Sequence, residues 1–314
     1  MFIEERKTDS GKKYYLVQSY REGTKVKKFR EYLGYNLNKA KIQSLKEPAK
    51  EKIEYKIATL RKIKDPLKNI LSEEEIEKIK ELQNEINIFH LSEEQWLQFT
   101  ENFTYNTNAI EGSELDKKEV KDILENNKWP KEKSKEDISE AQGVKEAIDY
   151  IRKTKEHISV ELIKEIHRIV FKNSKPFAGL TRPRGVEVVV SNGLGVIVHR
   201  GAPSEKIIEL LEELVVWYNK YKNKYPPVLL ATVIHNQFEN IHPFQDGNGR
   251  VGRILLNNIL IKNKLPPVDI TFEKRQEYYK ALQEYENAQN IRPTIELLVK
   301  EYKSLKKKLK VTTK

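Results

Sequence analysis

The stretch IHPFQDGNGRVGR, residues 241–253, governs how the rest of the chain is read. It sets a histidine, an acid four residues later, then Gly-Asn-Gly-Arg and a second arginine between two apolar helical patterns. Upstream, Pro226 and Pro227 open a run in which Leu230, Ile234, Phe238 and Ile241 keep one face, the spacing of a buried helix that ends near His242. Downstream, Val251, Ile254, Leu255 and Ile259 repeat that spacing. The GNGR segment therefore opens a buried helix, where free backbone N–H groups and the helix dipole favour an anion. Gly247 and Gly249 let the backbone curl around that anion. Arg250 and Arg253 lie one turn apart, and both are expected to face it and bind phosphate oxygens in bidentate fashion. Asp246 is an oxygen ligand suited to Mg2+ carried in on a polyphosphate. His242, at the lip, can take a proton near neutral pH. Anion cradle, metal carboxylate and base are the parts of a phosphoryl or nucleotidyl transfer site.

Other readings of the stretch fit less well. The chain has no GxxxxGK[ST], no GxGxxG after a strand and no HRD or DFG pair, so the P-loop and protein-kinase readings lack their defining residues. A zinc site would pair His242 with His235 and Asp246, which is not HExxH spacing and leaves the glycines without a role. His235, His167 and His90 read as core histidines.

Composition bounds the class. The chain has 314 residues, 38% of them hydrophobic, and no cysteine, which permits a real core and excludes disulfides and thiolate metal sites. The N-terminal MFIEERKTDS lacks a signal-peptide apolar region, and no apolar run approaches the roughly 18 residues of a membrane span. A soluble protein of the reducing cytoplasm, with no membrane contact, is the expectation. The net charge of +11 is unevenly spread: residues 1–70 hold 19 Lys and Arg against 9 Asp and Glu, and residues 301–314 hold six lysines against one glutamate. A basic arm on a near-neutral body attracts phosphate backbones or acidic surfaces, or simply solubilises the chain.

Along the chain, residues 1–37 read as a basic hairpin or small meander: FIEER, KKYYLVQSY and KVKKFREYLG, with a break at residues 21–24. Residues 38–150 read as helices, among them SEEEIEKIKELQNEINIF behind Ser72 and a helix opened by Leu91-Ser92-Glu93-Glu94. Residues 151–300 form a helical core, and 301–314 a basic tail. The core is interrupted by VEVVVSNGLGVIVH, residues 186–199, where two β-branched runs flank a Ser-Asn-Gly-Leu-Gly turn. An isolated hairpin has an open edge that either faces water or adds a strand to an incoming peptide, through Val188, Val189 and Val190. The fold class expected is mainly α, with one inserted hairpin and a small N-terminal β module.

HPFQDGNGRVGR matches the signature HxFx[DE]GNGRxxR without a mismatch, and on it the chain resembles the Fic domain family. The resemblance implies a Fic-type helical core with a β-hairpin flap, and transfer of AMP from ATP to a Ser, Thr or Tyr hydroxyl of a protein. In that scheme His242 is the base and Asp246 holds Mg2+. Gly247, Asn248, Gly249 and Arg250 hold phosphates, and the outer Arg253 meets the terminal one. RQEYYKAL followed by YEN resembles the family's adenine-pocket segment and nominates Tyr279 and Asn287. Upstream, TNAIEG, residues 107–112, resembles the family's inhibitory helix, expected near 98–112, in which Thr107 and Glu111 share a face and Glu111 pairs with Arg253. The resemblance leaves self-modification and a homodimer open. Three functions compete at this point: a self-inhibited protein adenylyltransferase, a deAMPylase of the same fold in which Glu111 orients water, and a nucleic-acid-binding regulator acting through the basic N-terminal arm.

Overall fold

The computed structural model describes residues 1–22, 25–61, 66–67, 70–84, 91–191 and 197–312. His90 and the hairpin turn at residues 192–196 lie outside them. The chain divides into two compact units, residues 1–64 and 65–314.

In the first unit, strands β1 (Phe2–Thr8), β2 (Gly11–Glu22) and β3 (Lys25–Tyr35) form an antiparallel meander in the order β1-β2-β3. Alternation puts Ile3, Leu16, Phe29 and Leu33 on one face, where they pack with Ala49, Ile53 and Ile57 of helix α1 (Lys39–Arg61). The module therefore runs past residue 37. A three-stranded sheet alone cannot cover its apolar face, and α1 supplies the cover.

The second unit is helical. It comprises α2 (Glu73–Asn84), α3 (Glu93–Ile110), α4 (Lys117–Asn126), α5 (Lys135–Lys153), α6 (Val160–Phe171), α7 (Ile207–Tyr221), α8 (Pro227–Ile241), α9 (Asn248–Lys262), α10 (Arg275–Ala288) and α11 (Arg292–Thr312). Helices α8 and α9 are buried on nearly every face, the mark of helices at the centre of a core. α3, α5, α6, α7, α10 and α11 pack around them. Gly143 on α5 makes one close approach possible, because a Cβ there would lie 2.2 Å from the Val170 carbonyl oxygen of α6. The inserted hairpin is β4 (Val189–Ser191) with β5 (Ile197–Arg200), antiparallel, with Val190 opposite His199. Among the described residues these two strands pair only with each other.

Two boundaries differ from expectation. Residues 301–314 do not begin a separate tail: α11 continues unbroken through Glu301, and Tyr302 is fully buried, its hydroxyl donating to the Pro266 carbonyl at 2.6 Å. α3 is longer than the segment 98–112. Ser92 caps it in a reciprocal box with Gln95, and it ends at Ile110, with Glu111 as C-cap and Gly112 at φ 97°. No described helix is long and apolar enough to cross a membrane.

Candidate active site

The loop between α8 and α9 carries the motif, and it is held by its own side chains. Asn248 accepts from the Phe244 N–H at 2.9 Å and donates to the Phe244 carbonyl at 3.0 Å. Phe244 is fully buried and stacks on His167, ring centroids 3.8 Å apart. His167 accepts from the Gly179 N–H through Nδ1 at 2.7 Å, so its Nε2 is the donor to the Asp246 carbonyl at 3.2 Å. Burial, ahead of every other influence, holds His167 down to about 4, so it is a neutral structural strut. Gly247 takes a left-handed φ of 78° with Phe171 beneath it; a Cβ would lie 2.2 Å from that ring. Only glycine meets both demands.

His242 ends α8 in a left-handed conformation, φ 51°. Its carbonyl accepts from Arg182 Nε at 2.7 Å, and the same guanidinium donates to the carbonyls of Val186, Ala202 and Ile241. One buried arginine thus fixes the candidate base and both ends of the hairpin insertion together. The His242 imidazole is half-buried; burial first, then nearby His199 and Arg182, hold it down to about 3. It is neutral at pH 7, as a proton acceptor must be. The His199 ring, on β5, lies 5.1 Å from it and is tied through Nδ1 to Glu286 of α10.

The two arginines diverge, against the expectation that both face one anion. Arg250 is buried, pairs with the buried Glu140 of α5 and lies over the Phe171 ring at 4.6 Å. Arg253 turns to α3: Nε donates to Thr107 Oγ1 at 2.8 Å, and Nη2 donates to the Thr107 carbonyl at 2.9 Å and to Glu111 at 2.8 Å. Residues three apart on a helix share a face only approximately. Carboxylates on two different neighbouring helices pull these long side chains apart. Burial works against the Arg253 charge, and Glu111, together with Tyr278 and Glu239, more than offsets it, holding the guanidinium above its ordinary value.

Glu111 reaches further than the ion pair. A Cβ on Gly249 would lie 2.2 Å from Glu111 Oε1 and 3.0 Å from Arg253 Nη1, so the carboxylate rests directly on the first turn of α9, where an anion would sit. Asp246 is also engaged. Its Oδ1 accepts from the Gly247 N–H at 2.7 Å and lies 3.8 Å from Arg250, and its Oδ2 lies 3.2 Å from Lys175. Burial disfavours its charge, but Arg250 and Lys175 hold the carboxyl below its usual range.

A cavity of about 810 Å³ opens beside these groups, lined by Glu111, Gly249 and Arg253, by His242, His199 and Val190, and by the α10 face. That volume is within the usual range for a small-molecule site. Tyr279 lines it and donates to the Ile110 carbonyl at 2.6 Å. Asn287 does not line it and is exposed. From Tyr279 the inward positions of the helix fall at Gln283 and Glu286, and Asn287 is turned about 100° past Glu286. Tyr278 is fully buried, bonded to His235 at 3.0 Å and to Arg253 at 3.4 Å. Glu239 lines the cavity; burial, reinforced by Glu111 and opposed by Arg253, raises it to about 8, a protonated carboxyl at pH 7.

Motif reading missed Lys175, Glu140, Arg182, Tyr278, Glu239 and the His199–Glu286 pair. Glu239, three residues before His242, and Tyr278, beside Tyr279, stood next to nominated positions. The others lie on separate elements that no spacing links to the motif. The Arg182 contacts generate a prediction: Arg182→Ala strands the Val186, Ala202 and His242 carbonyls at about 1–3 kcal/mol for each that stays dry. Urea unfolding should show a loss of about 3 kcal/mol or more; a loss under about 1 kcal/mol would mean that water replaces the guanidinium.

Comparison with known proteins matches this region. Residues 157–260 match the model of the Fic/DOC family. Protein adenylyltransferase fic-1 of Caenorhabditis elegans is 34% identical over 205 residues, 63% of this chain and 39% of the relative. Protein adenylyltransferase Fic of Nematostella vectensis is 33% identical over 202 residues, 62% of this chain and 45% of the relative. The chain thus spans less than half the length of these curated relatives. Among solved structures, a Fic-1 fragment from C. elegans superposes with a TM-score of 0.62 at 25% identity, covering 87% of this chain and 77% of that one. A Fic domain-containing signaling protein from Bacteroides thetaiotaomicron gives 0.61 at 22% identity, covering 82% and 97%. The segment that carries the motif is thus similar to the Fic/DOC family, and the helical fold around it is that of these solved Fic structures.

Proposed function

We infer that the chain is a protein adenylyltransferase that transfers AMP from ATP to a Ser, Thr or Tyr hydroxyl of a protein, and that Glu111 restrains it. The observation that carries this reading is the neutral His242 at the mouth of a cavity that also contains an arginine-lined helix N-terminus. His242 takes the proton of the incoming hydroxyl as its oxygen attacks the α-phosphorus. The bond from that phosphorus to the bridging oxygen breaks, and pyrophosphate leaves. The first-turn amides of α9 and Arg253 receive the phosphates once Glu111 withdraws, whereas Asn248 and Arg250 hold the loop that presents those amides. Asp246, half-exposed and flanked by cations that a metal could displace, suits Mg2+, which takes one or two protein carboxylates and fills its remaining positions with phosphate oxygens and water. When bound, that ion would neutralise charge developing on the phosphates. Tyr279 lines the end of the cavity that would take the base.

His242→Ala should abolish AMP transfer to any protein while leaving ATP binding within a few-fold, because the cradle is built from other groups. Asp246→Ala should weaken Mg2+-dependent ATP binding itself. Calorimetry with Mg-ATP and mass spectrometry of the products separate the two. Near-normal transfer by His242→Ala would remove it as the base, and undiminished ATP affinity in Asp246→Ala would remove the metal role.

The restraint follows from geometry. With Glu111 on Arg253 and against Gly249, ATP binds only out of line, and rate is steep in alignment. Glu111→Gly should raise AMP transfer, including self-modification, by about tenfold or more, equivalent to about 1.4 kcal/mol of barrier per factor of ten. Arg253→Ala should not, because it removes the phosphate ligand along with the block. If Glu111→Gly gains nothing and instead loses the power to strip AMP from a modified protein, the same site works hydrolytically with Glu111 orienting water.

The hairpin supplies the place for the target. Val189 and Val190 are 43% and 39% exposed on β4, beside Val188, whose carbonyl accepts from the Gly201 N–H at 3.0 Å. A target segment added along this strand would be fixed in position with loose demands on its sequence. Val189→Pro should then suppress target modification at least fivefold with ATP affinity unchanged; equal modification of every target would make the hairpin purely structural.

A further inference from the structure

The excess positive charge of this protein lies in the unit that the catalytic reading does not use. Residues 1–64 hold 18 Lys and Arg against 8 Asp and Glu, while residues 65–314 hold 40 against 39. Helix α1 covers one face of the three-stranded sheet. Strand register defines what the other face carries, since Glu4 lies opposite Tyr15 and Tyr15 opposite Tyr32, Arg6 lies opposite Lys13, and Val17 lies opposite Arg30. Lys28 shares this face two residues along β3 from Arg30. Arg6, Lys13, Lys28 and Arg30 are exposed, and Tyr32 is 51% exposed. Glu4 is the single acid among these positions. It holds Arg6 at 2.6 Å and Arg30 at 3.1 Å, which orders both guanidiniums and leaves the face strongly positive.

We propose that this face docks on duplex DNA, through its phosphates and along a groove. Charge complementarity favours a polyphosphate backbone, because four ordered or exposed cations surround one acid, and each phosphate neutralised releases a counterion. Shape favours a duplex over a single strand. Single strands need open aromatic rings for bases to stack on. Here Arg6 lies over the Tyr15 ring at 5.1 Å, and Tyr15 and Tyr32 meet at a tilt of 53°, so Tyr32 is the one half-exposed ring of the pair and the two do not form a continuous stacking platform. Three strands about 4.8 Å apart make a ridge about 10 Å wide before side chains. That matches the B-form major groove of about 12 Å, which accepts β-ribbons, and not the deep, narrow major groove of duplex RNA.

The test uses the full chain and a short fluorescein-labelled DNA duplex, read by anisotropy across a salt series. Wild type should bind with affinity falling as log salt rises, slope about −3 for three to four phosphates. Lys13→Glu with Lys28→Glu should weaken binding at least tenfold and flatten the slope by about 2, with circular dichroism and urea unfolding as the controls for intact folding. Reversal of Lys306, Lys307 and Lys308 to Glu should leave DNA binding within twofold. The proposal is overturned if the sheet variant binds as wild type, if the lysine-rich C-terminal reversal abolishes binding instead, or if single-stranded RNA or phosphatidylserine vesicles bind as tightly as duplex DNA. The readout is binding alone, so failure of the catalytic reading leaves this test unaffected.

Discussion

A sharp polar turn, partly buried between two central helices, is the constraint on which the rest of the second unit depends. α8 and α9 are enclosed on nearly all sides, so the buried residues of the loop between them, Phe244, Gly247 and Asn248, cannot rely on bulk water to satisfy their backbone. Asn248 resolves this locally by acting as donor and acceptor to one residue, Phe244. His167 reaches in from α6 to take the Asp246 carbonyl, and Arg182 gathers the carbonyls that the loop and the hairpin insertion leave over. The loop is rigid because its polar groups are accounted for, and that rigidity aims the first-turn amides of α9 and the His242 ring at the same space.

Buried arginines impose the second constraint. A guanidinium in a core needs a carboxylate, or it costs several kcal/mol. Arg250 has Glu140, which is itself buried and belongs to the scaffold. Arg253 has Glu111, whose side chain keeps 27% exposure at the C-terminal end of α3. The two pairs are alike as ion pairs, yet they differ in their access to the cavity. Glu140 is enclosed between α5 and α9, whereas Glu111 borders the cavity, where in the proposed reading a phosphate takes its place. Thr107 bonds Arg253 independently of Glu111, which fixes the orientation of the arginine. The restraint proposed for Glu111 rests on the ordinary need to neutralise a buried charge, placed where a substrate anion would meet the same need.

The N-terminal unit follows different physics. Its small core of Leu16, Phe29, Ala49 and Ile53 covers one sheet face, and its stability owes nothing to the motif. Its exposed cations Arg6, Lys13, Lys28 and Arg30 lie on the opposite face, around a buried Val17.

The sequence alone determined the motif chemistry and its setting. HPFQDGNGRVGR between two apolar periodicities fixed a helix–turn–helix with glycines at the turn, because glycine conformations and 3.6-residue spacing are local properties. For the same reason the strands of the first unit, the Ser92 cap, the helix end at Gly112 and the inserted hairpin were legible. Pairing between distant elements was decided by tertiary structure. Sequence spacing placed Arg250 and Arg253 on one anion, and packing sent one to α5 and the other to α3. The family resemblance nominated Asn248 as a phosphate ligand, and the Asn248 side chain is bonded to Phe244. It chose Asn287, and the rotation of α10 turns Glu286 inward instead. Lys175, Glu140 and Arg182 carry no pattern of their own. Their roles exist only because the fold brings them to one loop, and the energy of a buried charge depends on partners that a linear sequence does not record.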